Sequence, residues 1–181
     1  MDSFESLVSM LLEHEGYWVR SSYKVVLSKS EKNTIGRPSS PRWEIDLVAY
    51  KGATNELLAV ECKSYLDSGG VRFRGFNGSD LLASRRYKLF NDAILRKTVL
   101  RRLVKQLEAS EACSHTPSVR LALAAGKIAS DHDRLQLEGH FAKHNWLLIH
   151  DEWLRERLLN VSAMSYENDV AAVVAKLLIR K

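Results

Sequence analysis

Two carboxylates and one ammonium group stand at spacings that suit hydrolytic chemistry: Asp46, then Glu61 and Lys63 fifteen and seventeen residues further on. Side chains alternate across a strand, so in extended backbone Glu61 and Lys63 share one face with Ala59, and Asp46 shares a face with Glu44 and Val48. Ile45, Leu47, Val60 and Cys62 would then point into an opposite, apolar layer, which explains why charges interrupt hydrophobic runs at every second position. Half-buried carboxylates repel one another and lose hydration, and a divalent cation offsets both costs. Oxygen ligands suit Mg²⁺ or Mn²⁺, and a neighbouring ammonium can hold the attacking water and counter charge building on phosphorus. The plain alternative is a cross-strand ladder of ion pairs on a solvated face, which gains little energy.

Only two adjacent strands can bring these groups together. Trp43 to Tyr50 and Leu57 to Ser64 read as apolar strands joined by a glycine-containing connection of hairpin length, Lys51 to Asn55, and should pair antiparallel. Upstream, Phe4, Leu7, Val8, Leu11 and Leu12 recur at helical spacing over residues 3 to 15, with Ser3 as N-cap and Gly16 as stop. Tyr17 to Leu27 reads as a strand and Ser28 to Pro41 as a polar surface loop.

Downstream, Asp67 to Ser79 carries Gly69, Gly70, Gly75 and Gly78 and reads as a flexible loop before helical sequence from Asp80 to Ala112. Val119 to Ala125 is a strand, Ser130 and Asp133 cap a helix to about Lys143, Trp146 to His150 is a strand, and helices follow near Glu152 to Leu159 and Asp169 to Ile179. This order belongs to the mixed α/β class, a central mixed sheet flanked by helices. A length of 181 residues suits one domain, with 1–112 carrying the chemistry and 113–181 completing the sheet and adding C-terminal helices.

Composition is that of a soluble globular protein, without a membrane-length apolar run or a basic-then-apolar leader, so the expected location is cytoplasmic. Cys62 and Cys113 lie in no metal-ligand spacing and read as reduced thiols. Net charge is +5, and it is concentrated: between Arg72 and Lys105 stand ten basic residues, Arg72, Arg74, Arg85, Arg86, Lys88, Arg96, Lys97, Arg101, Arg102 and Lys105, against Asp80 and Asp92. A polyanion such as nucleic acid would meet that stretch of the chain first, although a basic helix can also serve solubility alone. Tyr87 and Phe90, interleaved among these charges at helical spacing with Leu89 and Leu95, read as core rather than as base-stacking groups. His140 and His144 stand four apart without a third ligand and read as surface.

Glu44-Ile45-Asp46, followed after a hairpin by Glu61-Cys62-Lys63, resembles the signature of the PD-(D/E)xK nuclease superfamily. The resemblance covers roughly residues 3 to 110, because that superfamily also places a glutamate in the helix before its first core strand, where Glu5 stands. It implies a restriction-endonuclease-like core of helix, three strands, helix and strand, and Mg²⁺- or Mn²⁺-dependent hydrolysis of phosphodiester bonds. By that likeness Asp46 and Glu61 ligate the metal with the backbone carbonyl of Cys62, Lys63 positions the nucleophilic water, Glu5 supports the network, and Gln106 fills the place of a helix glutamine found in some branches. The sequence departs in having Ile45, not proline, before Asp46, the proline here being Pro41, and Ser110 where one branch has tyrosine.

The expected function is therefore a metal-dependent nuclease acting on DNA, an endonuclease before an exonuclease, with an RNA nuclease or a catalytically inactive nucleic-acid-binding module as alternatives. Cutting both strands of a duplex calls for two centres, which a homodimer would supply. Glu44 is an auxiliary ligand or an exposed strand acid, Glu5 a network residue or an ordinary first-turn acid, and Gln106 an active-site group or a solvated one.

Overall fold

The computed structural model describes residues 2–39, 42–165 and 169–179, and Pro41 lies outside them. In chain order the elements are α1 (Ser3–His14), β1 (Trp18–Val25), α2 (Lys29–Thr34), β2 (Trp43–Lys51), β3 (Glu56–Lys63), a 3-10 turn (Phe73–Gly75), α3 (Leu81–Ser84), α4 (Lys88–Asn91), α5 (Ala93–Ala109), β4 (Ser118–Ala125), α6 (Asp131–Lys143), β5 (Leu147–Ile149), α7 (Asp151–Ala163) and α8 (Val170–Ile179).

The strands form one mixed sheet in the order β1-β2-β3-β4-β5. Pairing is antiparallel from β1 to β3, where short connections suffice, and parallel for β3 with β4 and β4 with β5, where α5 and α6 make the crossovers. Both faces are covered. Ile45, Val48, Leu57, Ala59, Leu121 and Leu123 pack under Leu95, Val99 and Leu103 of α5 and Phe141 of α6. Leu47, Leu58, Val60, Cys62 and Ala124 pack under Val8, Leu11 and Leu12 of α1 and Leu154 of α7. Double burial is why β3 and β4 read as nearly unbroken apolar runs until Glu61 and Lys63.

Several boundaries differ from the sequence reading, each for a local reason. Helix α1 starts one residue early because Asp2, not Ser3, is its N-cap, in a reciprocal capping box with Glu5. The expected loop after β1 contains α2, initiated by a second capping box between Ser28 and Glu31. The helical region after residue 80 is broken into three helices because Asp80 and Asp92 each cap a new start, accepting from Ala83 N and Leu95 N.

The glycine-rich segment is pinned rather than loose. Val71 N donates to the Lys127 carbonyl at 2.9 Å, Ala129 N to the Val71 carbonyl at 3.0 Å, and Phe73 N to Asp133 Oδ1 at 2.8 Å. Gly70 has φ +80°, and a Cβ there would come within 2.8 Å of Ala129 N, so both backbone sign and space require glycine. Among the described residues no helix is long and apolar enough to cross a membrane.

Candidate active site

The β2–β3 ladder runs from Lys51↔Glu56 to Leu47↔Val60 and stops there. One step further along the same register, Asp46 stands across from Glu61, and here the strands part. Parting leaves the Cys62 N–H without a β2 carbonyl, and the Asp46 carboxylate takes that place: Oδ2 accepts from Cys62 N at 2.7 Å. A buried amide left unanswered would be costly, so this side chain closes the sheet where its backbone does not.

The opening coincides with a break in strand alternation. Ile45 packs in the α5 layer while Leu47 packs in the α1 layer, and Val48 returns to the α5 layer beside Ile45. The expectation that Ile45 and Leu47 share one layer, and that Asp46 shares a face with Glu44 and Val48, is corrected accordingly. Opposite the break lies Ser22, whose φ of +50° interrupts β1 between the pairs Ser21↔Leu47 and Tyr23↔Ile45. A kink in both strands turns the Asp46 carboxylate toward β3.

On β3, Lys63 Nζ lies 3.7 Å from Glu61 Oε2 and donates to the Cys62 carbonyl at 3.0 Å. Burial pushes the Glu61 carboxyl up to about 7, the Lys63 charge opposing and the Asp46 charge reinforcing that rise. The lysine ammonium therefore lies between a desolvated carboxylate and a backbone carbonyl. Lys63 is itself held, because its carbonyl accepts from Gly126 N at 3.0 Å across the parallel β3–β4 pair.

Glu5 enters from α1. Desolvation raises its carboxyl, the Asp2 backbone hydrogen bond lowers it, and the Asp46 charge raises it again, so the two acids sense each other while Glu5 also closes the capping box. Cys62 is buried beneath α1, and desolvation pushes its thiol well above the ordinary range. Thus Asp46, Glu61, Lys63 and the Cys62 carbonyl gather at the end of the β2–β3 pair, with Glu5 on α1 near enough to feel the Asp46 charge. Among the described residues no group of three or more His, Cys, Asp or Glu side chains is placed to hold a metal by itself. A hard ion such as Mg²⁺ commonly uses only one or two carboxylates, with the remainder from carbonyl, water and phosphate oxygens.

Other expected site residues sit elsewhere. Glu44 is exposed and makes no ion pair among the described residues. The Gln106 amide is committed to β1 and the residue after it: its Oε1 accepts from Val26 N at 2.6 Å and its Nε2 donates to the Lys24 carbonyl at 3.3 Å. Two of the ten basic residues are structural. Arg96 donates to the Leu89 and Phe90 carbonyls, both at 2.9 Å, and lies over the Trp146 ring. Arg102 pairs with Glu31 of α2 at 2.7 Å, with Arg101 at 3.8 Å from the same acid. Arg72, Arg74, Arg85, Arg86, Lys88, Lys97, Arg101 and Lys105 remain exposed. His140 is half-buried among rings, and His144 stacks on Trp146 at 4.4 Å.

Gly126 escaped the sequence reading. A Cβ there would overlap the Ser64 carbonyl and come within 3.0 Å of the Phe4 ring, so this glycine lets α1 and the end of β3 close on each other. Only its place just after an apolar strand hinted at the role.

No family model, curated protein or solved structure matches the chain.

Proposed function

We propose that this chain is a Mg²⁺-dependent nuclease, also able to use Mn²⁺, that hydrolyses phosphodiester bonds in DNA, and that it is a restriction-endonuclease-like member of the PD-(D/E)xK superfamily. The observation that carries the reading is the meeting of Asp46 and Glu61 at the parted ends of β2 and β3, with the Lys63 ammonium 3.7 Å from Glu61. Support comes also from the element order, with α1, three antiparallel strands, α5 and β4 in sequence.

The donors fit a hard divalent ion. Asp46 and Glu61 supply carboxylate oxygens, and the Cys62 carbonyl supplies a neutral one. Burial raises the Glu61 carboxyl to about 7 by penalising its charged form, with the Asp46 charge adding to the rise, and a bound cation would offset that penalty. The bound ion would polarise the phosphoryl group and make water a better nucleophile near neutral pH. Lys63 holds that water near phosphorus and counters the charge developing on the phosphoryl oxygens. Water adds to phosphorus, the bridging P–O bond breaks, and the proton released by water ends on the leaving oxygen. Glu5, at the N-terminal turn of α1, adds an acceptor for water at the edge of the site. Exposed Arg85, Lys88, Lys97 and Lys105 provide cations for the nucleic-acid backbone.

The test is cleavage of circular and linear DNA, and of matched RNA, with Mg²⁺ or with EDTA. Wild-type chain should cut DNA only with the metal, and Lys63→Ala should bind but not cut. Equal cleavage by Lys63→Ala would end the assignment. Binding without turnover under every metal tested would leave a nucleic-acid-binding module, and cleavage confined to RNA would change the substrate.

A further inference from the structure

Two residues beyond Lys63 the chain enters a cavity of about 220 Å³, with Tyr65 and Tyr87 on its wall. Its lining includes Arg72, Arg74 and Arg86 and no carboxylate. Arg74 pairs with Asp80 at 3.3 Å, whereas neither Arg72 nor Arg86 has a carboxylate partner among the described residues. Two arginines without an ion pair among the described residues thus line one cavity.

Packing and backbone pairing hold part of the wall. The Arg72 guanidinium lies over Gly69, Nη2 being 3.5 Å from where a Cβ would stand. Val71, next in the chain, bridges to Ile128, and the Tyr87 ring is packed against Gly75 and Phe76.

Guanidinium forks match phosphate oxygens, and two unpaired positive charges match a dianion. An internal phosphodiester carries one negative charge, whereas a terminal phosphate monoester carries close to two at neutral pH. We propose that this cavity binds the terminal phosphate of a DNA strand and directs the activity to phosphorylated ends. The proposal rests on the nuclease reading for its substrate, but not on turnover.

The experiment is equilibrium binding in EDTA, at one fixed salt concentration, of the full chain to one fluorescent single-stranded oligonucleotide made with a 5′-phosphate, a 3′-phosphate or only hydroxyl ends. One phosphorylated form should bind about tenfold more tightly than the hydroxyl form, the scale of a few charge-assisted hydrogen bonds. Arg72→Ala and Arg86→Ala should each remove that advantage while leaving hydroxyl-end binding within about twofold, because internal phosphates are held by other cations. Arg86→Lys, which keeps charge but loses the fork, should retain only part of the preference. Lys105→Ala should weaken all three forms alike and keep their ratio. Equal affinity for all three ends, or an equal loss for all three in Arg86→Ala, overturns the end-phosphate site. Neither result touches the catalytic reading, which metal-dependent cleavage of linear DNA and its loss in Lys63→Ala test separately.

Discussion

The Asp46 carboxylate accepts the Cys62 backbone N–H at 2.7 Å across the gap between β2 and β3. One side chain thereby closes the sheet and borders the candidate site. The first role needs an acceptor oxygen; the second needs negative charge. These requirements separate on mutation.

Asp46→Asn keeps a carbonyl acceptor for Cys62 N, whereas Asp46→Ala leaves that amide unanswered. We expect Asp46→Ala to lose about 1–3 kcal/mol of stability and Asp46→Asn distinctly less. Both should lose Mn²⁺ binding, because neither retains the charge. Urea melts beside calorimetric Mn²⁺ titrations make the comparison. Full metal affinity in Asp46→Asn would remove Asp46 from the ligand set.

Glu61, raised to about 7, carries a signed pH dependence. Between the ordinary carboxylate range and pH 7 the folded chain holds this proton more tightly than the unfolded chain. Its stabilising contribution is complete below the unfolded pKa and is lost as pH rises through the folded one. Without metal, the wild type should therefore lose on the order of 3 kcal/mol relative to Glu61→Gln between about pH 4.5 and pH 8. A cation favours the ionised form, so Mn²⁺ affinity should climb with pH to about 7 and then level off, and the climb should vanish in Glu61→Gln. Parallel stability curves for the two proteins would show that Glu61 ionises normally.

Gly126 makes a steric prediction. In Gly126→Ala, the new Cβ meets the Ser64 carbonyl and the Phe4 ring, so the end of β3 or the start of α1 must move. Overpacking of this kind costs roughly 1–3 kcal/mol. Cleavage should fall about tenfold or more even where the chain stays folded, since an error near 1 Å in a catalytic group can cost 10²-fold. Gly139→Ala, at an exposed position inside α6 with open space around its Cβ, is the control: it should gain about 0.5–1 kcal/mol from helix propensity and leave cleavage unchanged. Wild-type cleavage by folded Gly126→Ala would show that the Ser64 contact does not set the position of Lys63.

These cases show how far the sequence could be read. Strand pattern and the hairpin-length connection sufficed to pair β2 with β3 antiparallel, which puts Asp46 on the strand beside Glu61 and Lys63, but strict alternation failed at Asp46 itself. They did not reveal that the ladder ends at Leu47, since a kink shared by Ser22 and Asp46 is a property of two strands together. The Ser28-Lys29-Ser30-Glu31 cap was present as a legible pattern inside a stretch whose proline and glycine content suggested only loop. Pinning of the glycine-rich segment was beyond any local signal, because its partners Lys127, Ala129 and Asp133 lie more than fifty residues away. The same limit applies to the basic stretch, where charge was visible and the commitments of Arg96 and Arg102 were not.

That last distinction yields opposite phenotypes for two adjacent cations. Arg96 is half-buried, satisfies two carbonyls at the junction before α5 and lies 5.0 Å from the Trp146 ring centroid. Arg96→Ala removes the donors and the ring contact together, so about 1–3 kcal/mol of stability should be lost. Lys97 is exposed and makes no ion pair among the described residues, so Lys97→Ala should melt like the wild type. If Lys97 meets a DNA phosphate, its removal lowers the slope of log affinity against log salt by about 0.9 for duplex DNA. Thermal melts and a salt series of DNA-binding isotherms separate the pair. An unchanged salt slope in Lys97→Ala would take α5's exposed cations out of the interface, and a normal melt for Arg96→Ala would deny its guanidinium the role of joining α4, α5 and Trp146.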